Sequence, residues 1–113
     1  MFTFKHPNIV GFMTIKNRLI DQEIQQLSKE IGEKIRQERK LAGLTLVDAA
    51  QALGIAKQTL SDLETAKKPV GLMIVLMVCR QLGITLLPIP TGQVKQVQNY
   101  LVHLQLISED LDA

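Results

Sequence analysis

LVDAAQALGIAKQTLSDLET, running from Leu46 to Thr65, is the stretch that decides how this chain folds. It holds two short helical patterns on either side of Gly54. Ala50 sits where two crossing helices must approach, and a bulky side chain there would hold them apart. Ala49 supplies a second small position for burial. Gly54 opens the turn with a backbone that other residues adopt only at a cost. Leu53, Ile55, Leu60 and Leu63 provide apolar anchors beneath it. An ordinary helical hairpin would also use a glycine. The whole set coincides only where the second helix crosses the first closely and stands clear of the body.

Outward from this core the punctuation is regular. Thr45 can cap a helix that runs to about Leu53, and a second helix spans roughly Lys57 to Thr65. Lys67-Lys68-Pro69 forms a loop. Residues 71–82 read as an apolar helix that Gly83 ends. Ile84-Thr85-Leu86-Leu87 then reads as a short strand before Pro88 and Pro90. Upstream, Ile15, Leu19, Ile20, Ile24, Leu27, Ile31 and Ile35 recur at helical spacing from about Thr14. That pattern is one long helix or two meeting near Ser28, and it should stop at Ala42-Gly43. Residues 1–13 are mixed, with a turn signal at His6-Pro7-Asn8. Downstream, Val94, Val97, Leu101 and Leu104 share a helical stripe over 93–107, against a competing strand in Tyr100–Ile107. The acidic end, 108–113, should fray. The division expected is an extension over 1–28, a domain over 29–83, a strand over 84–90 and a second extension over 91–113.

Composition narrows the class. Of the 113 residues, 46% are hydrophobic but only 4% aromatic, so the core must be aliphatic, which suits helices packed on helices. The lone cysteine, Cys79, lies in an apolar run and reads as a small buried hydrophobe; one thiol fits a reducing compartment. No secretory signal pattern and no run of eighteen apolar residues is present, so a cytoplasmic location is expected. His6 and His103 have no Cys or carboxylate at metal-ligand spacing, and no glycine loop suits a phosphate. No metal, no cofactor and no enzyme activity are expected. The net charge is only +2, but its distribution is uneven. Residues 1–68 carry eleven Lys/Arg against eight Asp/Glu, whereas 69–113 carry two against three. The basic excess accompanies the two-helix motif.

Over residues 31–83 the sequence resembles the lambdoid-repressor-like helix-turn-helix family. The resemblance lies in Ile31-Gly32-Glu33-Lys34-Ile35-Arg36-Gln37-Glu38-Arg39, Ala42-Gly43-Leu44-Thr45, Ala49-Ala50, Leu53-Gly54-Ile55 and Leu63-Glu64. It implies an all-α domain of four or five short helices, the third entering the DNA major groove. It also implies that Arg39 and Glu64 pair across the fold. One departure matters: the family usually has Gln after the Thr that begins the second helix, where it clamps a phosphate, and here Leu46 stands.

On that footing the N-terminal end of the 56–65 helix is the reading edge, with Ala56, Lys57, Gln58 and Ser61 facing the groove. Lys57 can reach guanine O6/N7, Gln58 can pair bidentately with adenine, and Ala56 offers a methyl contact to thymine. Thr59 and Asp62 lie beside them. Thr45, Lys40, Lys67 and Lys68 are candidates for the phosphate backbone, with Lys34 and Arg36 behind them.

The segment Gly83–Pro90 looks like the C-terminal strand of HipB-type antitoxins, whose toxin partners are HipA-like serine/threonine kinases. Pairing of Ile84, Thr85, Leu86 and Leu87 between two subunits would satisfy a bare sheet edge and form a homodimer on a palindromic operator. The expectation is therefore a DNA-binding repressor, the antitoxin of such an operon. A stand-alone regulator without a toxin and a protein-interaction module without DNA binding are the alternatives.

Overall fold

A computed structural model describes residues 7–112, with side chains from 17 to 110. Five α-helices follow one another: α1 (Pro7–Leu41), α2 (Leu46–Leu53), α3 (Lys57–Thr65), α4 (Leu72–Gln81) and, after a 3-10 turn at Thr91–Gln93, α5 (Val94–Asp112).

α1 is a single helix of 35 residues, about 52 Å long at 1.5 Å per residue. It begins earlier than the periodicity predicts. Pro7 is its first residue, a position where the missing N–H costs nothing and the ring's fixed φ already suits a helix. His6 of the expected turn lies outside the described residues. Ser28 does not break the helix: no capping-box carboxylate follows it, and the chain has nothing to gain by turning there. Arg39 and Lys40 sit in the last turn, where cations favour the helix dipole.

The core forms where the second half of α1 meets the short helices. Ile35 from α1, Ala49, Ala50 and Leu53 from α2, Leu60 and Leu63 from α3, and Val78 and Cys79 from α4 are all buried. Ile31, Leu46, Ile55, Ile74 and Val75 close over it from the sides. Each fully buried aliphatic side chain contributes roughly 1.5–3 kcal/mol of transfer free energy, so this small cluster carries the fold. α1 and α3 are in close contact at Gly32. A Cβ there would lie 2.6 Å from the Glu64 carbonyl oxygen and would also strike that of Leu63.

Two parts stand outside this body. The first half of α1 exposes Leu19, Ile20, Ile24 and Leu27, and α5 exposes Leu101, Leu104 and Ile107. The radius of gyration, 19.2 Å, exceeds the roughly 13 Å of a compact chain of this length for that reason. The helical alternative for 93–107 is the one found, and α5 runs on through the acidic residues where fraying was expected.

Among the described residues there is no strand. Ile84–Pro90 runs without regular structure, and Ile84 packs against its own core. Within one chain the segment has no neighbour to pair with, and Pro88 and Pro90 remove two donors from any ladder.

Candidate nucleic-acid interface

The geometry begins at Thr45. Its backbone is extended and its hydroxyl accepts the Asp48 N–H at 3.1 Å, which satisfies one of the orphan donors at the start of α2. Leu46, in the place of the family's glutamine, is half-buried and packs against the core. It is a packing residue, so the phosphate clamp is absent because the position was given to the interior.

α2 ends at Gly54, whose φ of 70° and ψ of 30° lie in the left-handed region. No atom lies within 4 Å of where its Cβ would be, so the demand on this position is conformational and not steric. The Ile55 N–H then donates to the Ala50 carbonyl at 3.0 Å, closing the turn over the small residue at the crossing. Ala50 is 2% exposed. The chain re-enters a helix three residues after Gly54, and Leu60 and Leu63 fasten α3 from below.

What remains facing outward is the tip of α3. Ala56, Lys57 and Gln58 are exposed, and Thr59 and Ser61 are half-exposed. Thr65, which the sequence reading passed over, continues this side of the helix, its hydroxyl donating to the Ser61 carbonyl at 2.8 Å. Lys67 and Lys68 follow at the far end and are exposed, as is Lys40 at the end of α1.

Asp62 is different from its expected neighbours. It was placed beside the reading edge, yet it is 8% exposed and lines a groove with Ile24, Ser28, Leu63, Lys67 and Val70. The reason is its position on the flank of α3, where α1 and the 66–70 loop close over it. Its carboxylate accepts a hydrogen bond from Gln58 Nε2 at 2.9 Å. The i, i+4 spacing of Gln and Asp on a helix is a sequence signal for that bond.

Arg39 and Glu64 hold the motif to α1. Arg39 Nε donates to Glu64 Oε2 at 2.8 Å and Nη2 to Oε1 at 2.9 Å, a two-pronged pair, while Nη1 donates to the Leu44 carbonyl at 2.9 Å. Both side chains are buried. The hydrogen bond to Glu64 raises the Arg39 pKa above its ordinary value; burial opposes the shift and the charge of Glu64 assists it. Glu64 thereby anchors the end of α3 opposite its exposed tip.

Residues 35–89 match the family model described as Helix-turn-helix. The match takes in α2, α3 and α4, the first two of them joined through Gly54. Among solved structures, the crystal structure of the clp gene regulator ClgR from Corynebacterium glutamicum is similar at 29% identity, covering 75% of this chain and 85% of that one, with a TM-score of 0.47. No curated protein matches. Among the described residues, no group of His, Cys, Asp and Glu could hold a metal, and no helix is long and apolar enough to cross a membrane.

Proposed function

We propose that this chain is a sequence-specific DNA-binding transcriptional regulator acting as a repressor, with α3 as its recognition helix. The observation that carries the reading is the tip of α3. Ala56, Lys57 and Gln58 are exposed on a helix whose opposite side is locked into the core by Leu60 and Leu63. A rigid, solvent-facing helix end bearing a cation, an amide and a methyl group matches what base edges in a major groove offer. The helix-turn-helix family match supports the same class. Ser61 joins the reading edge, Thr59 lies beside it, and Thr45, Lys40, Lys67 and Lys68 engage phosphates.

The finer reading is a homodimer on a palindromic operator. α4 exposes Leu72, Met73, Leu76 and Met77, and Leu86 and Leu87 lie just beyond it, an apolar surface that a second subunit would cover. Thr85, Leu86 and Leu87 are exposed and available for pairing between subunits; Ile84 serves its own core instead. The antitoxin role, with a HipA-like kinase as partner, is supported only by the resemblance of Gly83–Pro90 and belongs to this proposal as its outermost layer. A cytoplasmic location follows from the DNA partner.

Selection from a pool of randomised duplexes tests the reading. A repressor of this kind enriches an inverted repeat whose half-sites lie about 34 Å apart, centre to centre. Binding should weaken with salt, and Lys67→Ala with Lys68→Ala should flatten the log–log slope by about 0.9 per lysine lost at the interface. Recovery of no sequence, with a slope near zero, would leave a protein-interaction module. Co-purification of a kinase at fixed stoichiometry decides for the antitoxin, and its absence for a stand-alone regulator.

A further inference from the structure

Gln58 is exposed at the tip of α3, and Asp62 lies one helical turn below it, 8% exposed. The bond between them, Nε2 to Oδ1 at 2.9 Å, has a consequence for recognition. A carboxamide carries a donor end and an acceptor end of nearly equal shape, and a free glutamine can present either by turning over. An ionised carboxylate only accepts. With Asp62 beneath it, Gln58 must turn its NH2 group inward, which fixes which end is nitrogen and which is oxygen. Oε1 and the second N–H of Nε2 then remain for a partner, in one order.

We propose that Asp62 is a specificity-determining positioning residue: by fixing the polarity of the Gln58 amide, it commits that side chain to adenine. The inference rests on α3 being the recognition helix. The adenine edge in the major groove offers an N6–H donor and an N7 acceptor, which an acceptor and a donor in fixed order satisfy together. Guanine offers two acceptors, N7 and O6, and Oε1 would meet one of them with no proton between. Holding Gln58 in place also removes rotamer freedom before DNA arrives, so less is lost on binding. Asp62 itself, kept below the surface, does not confront the phosphates.

The test uses the full chain with Gln58→Ala, Asp62→Asn and Asp62→Ala, each carried through selection from randomised duplexes and through thermal unfolding. Gln58→Ala should erase the preference at one base pair in each half-site. The Asp62 variants should lower the adenine preference at that same base pair by roughly tenfold, leaving the other positions unchanged. Asp62→Asn keeps the shape, so it remains informative if Asp62→Ala fails to fold. In combination with Gln58→Ala, Asp62→Asn should have no further effect on specificity. Duplexes bound with undiminished adenine preference in Asp62→Asn overturn the inference while the recognition helix stands. An even loss of affinity at every position overturns it too, by making Asp62 purely structural. If the unaltered chain selects no sequence, the recognition-helix reading itself falls and takes the inference with it.

Discussion

Glu64→Ala is the perturbation whose cost can be worked most fully from the structure. Arg39 and Glu64 are 9% and 8% exposed, and the guanidinium spends two donors on the carboxylate and a third on the Leu44 carbonyl. Removing Glu64 leaves a charged group in the interior with one carbonyl for company. Stranding a buried charge in this way costs about 3–5 kcal/mol. Small domains have only about 5–15 kcal/mol in total. At about 4–8 °C per kcal/mol for a domain of this size, the melting temperature should fall on the order of 20 °C. Thermal and urea unfolding followed by far-UV circular dichroism measure it. The double variant Arg39→Met with Glu64→Leu fills the same space without a charge and should recover most of the loss. Because folding raises the Arg39 pKa, its contribution is complete below the ordinary guanidinium range and is lost only as pH climbs above it. A Glu64→Ala variant less than about 1 kcal/mol weaker than the parent would refute the claim that this pair ties α3 to α1.

Three further outcomes are expected. Gly32→Ala should destabilise by about 1–3 kcal/mol, although alanine is normally the better helix former, because its methyl would strike the Leu63 and Glu64 carbonyls; a gain in the urea midpoint would contradict this. Thr45→Ala should cost about 1 kcal/mol through the lost cap on Asp48 N–H, whereas Thr45→Ser should cost little in the same titration. Burial pushes the Cys79 thiol above its ordinary pKa, so a thiol reagent should react with it only after unfolding. Since the folded value is the raised one, stability should also decline as pH rises past the ordinary thiol range, and Cys79→Ala should lessen that decline.

Where local chemistry sets the chain's course, the sequence was readable. The cap at Thr45, the left-handed turn at Gly54 and the stop at Gly83 each act within a few residues: α2 begins and ends beside the first two, α3 begins just past the second, and α4 ends beside the third. The buried and exposed sides of α3 followed from the placement of Leu60 and Leu63. Readings that depend on distant packing fared less well. Asp62 looks like a surface residue in sequence, and only the arrival of α1 and the 66–70 loop puts it inside. The demand for Gly32 comes from two carbonyls on α3, thirty residues away, which no local pattern announces. The start of α1 was missed because Pro7 reads equally as a turn residue and as a first helical residue. The strand expected at Ile84–Leu87 is not found among the described residues, where the segment runs without regular structure and Ile84 packs on the core.

The central claim is that the exposed tip of α3 reads base edges, and the affinity of the Lys57→Ala, Gln58→Ala double variant tests it most directly. Measured on the duplex selected by the parent chain, with scrambled duplex as competitor, the variant should bind both alike and melt at nearly the parent temperature. Parent-like discrimination between the two duplexes, from a variant that is fully folded, would contradict the account.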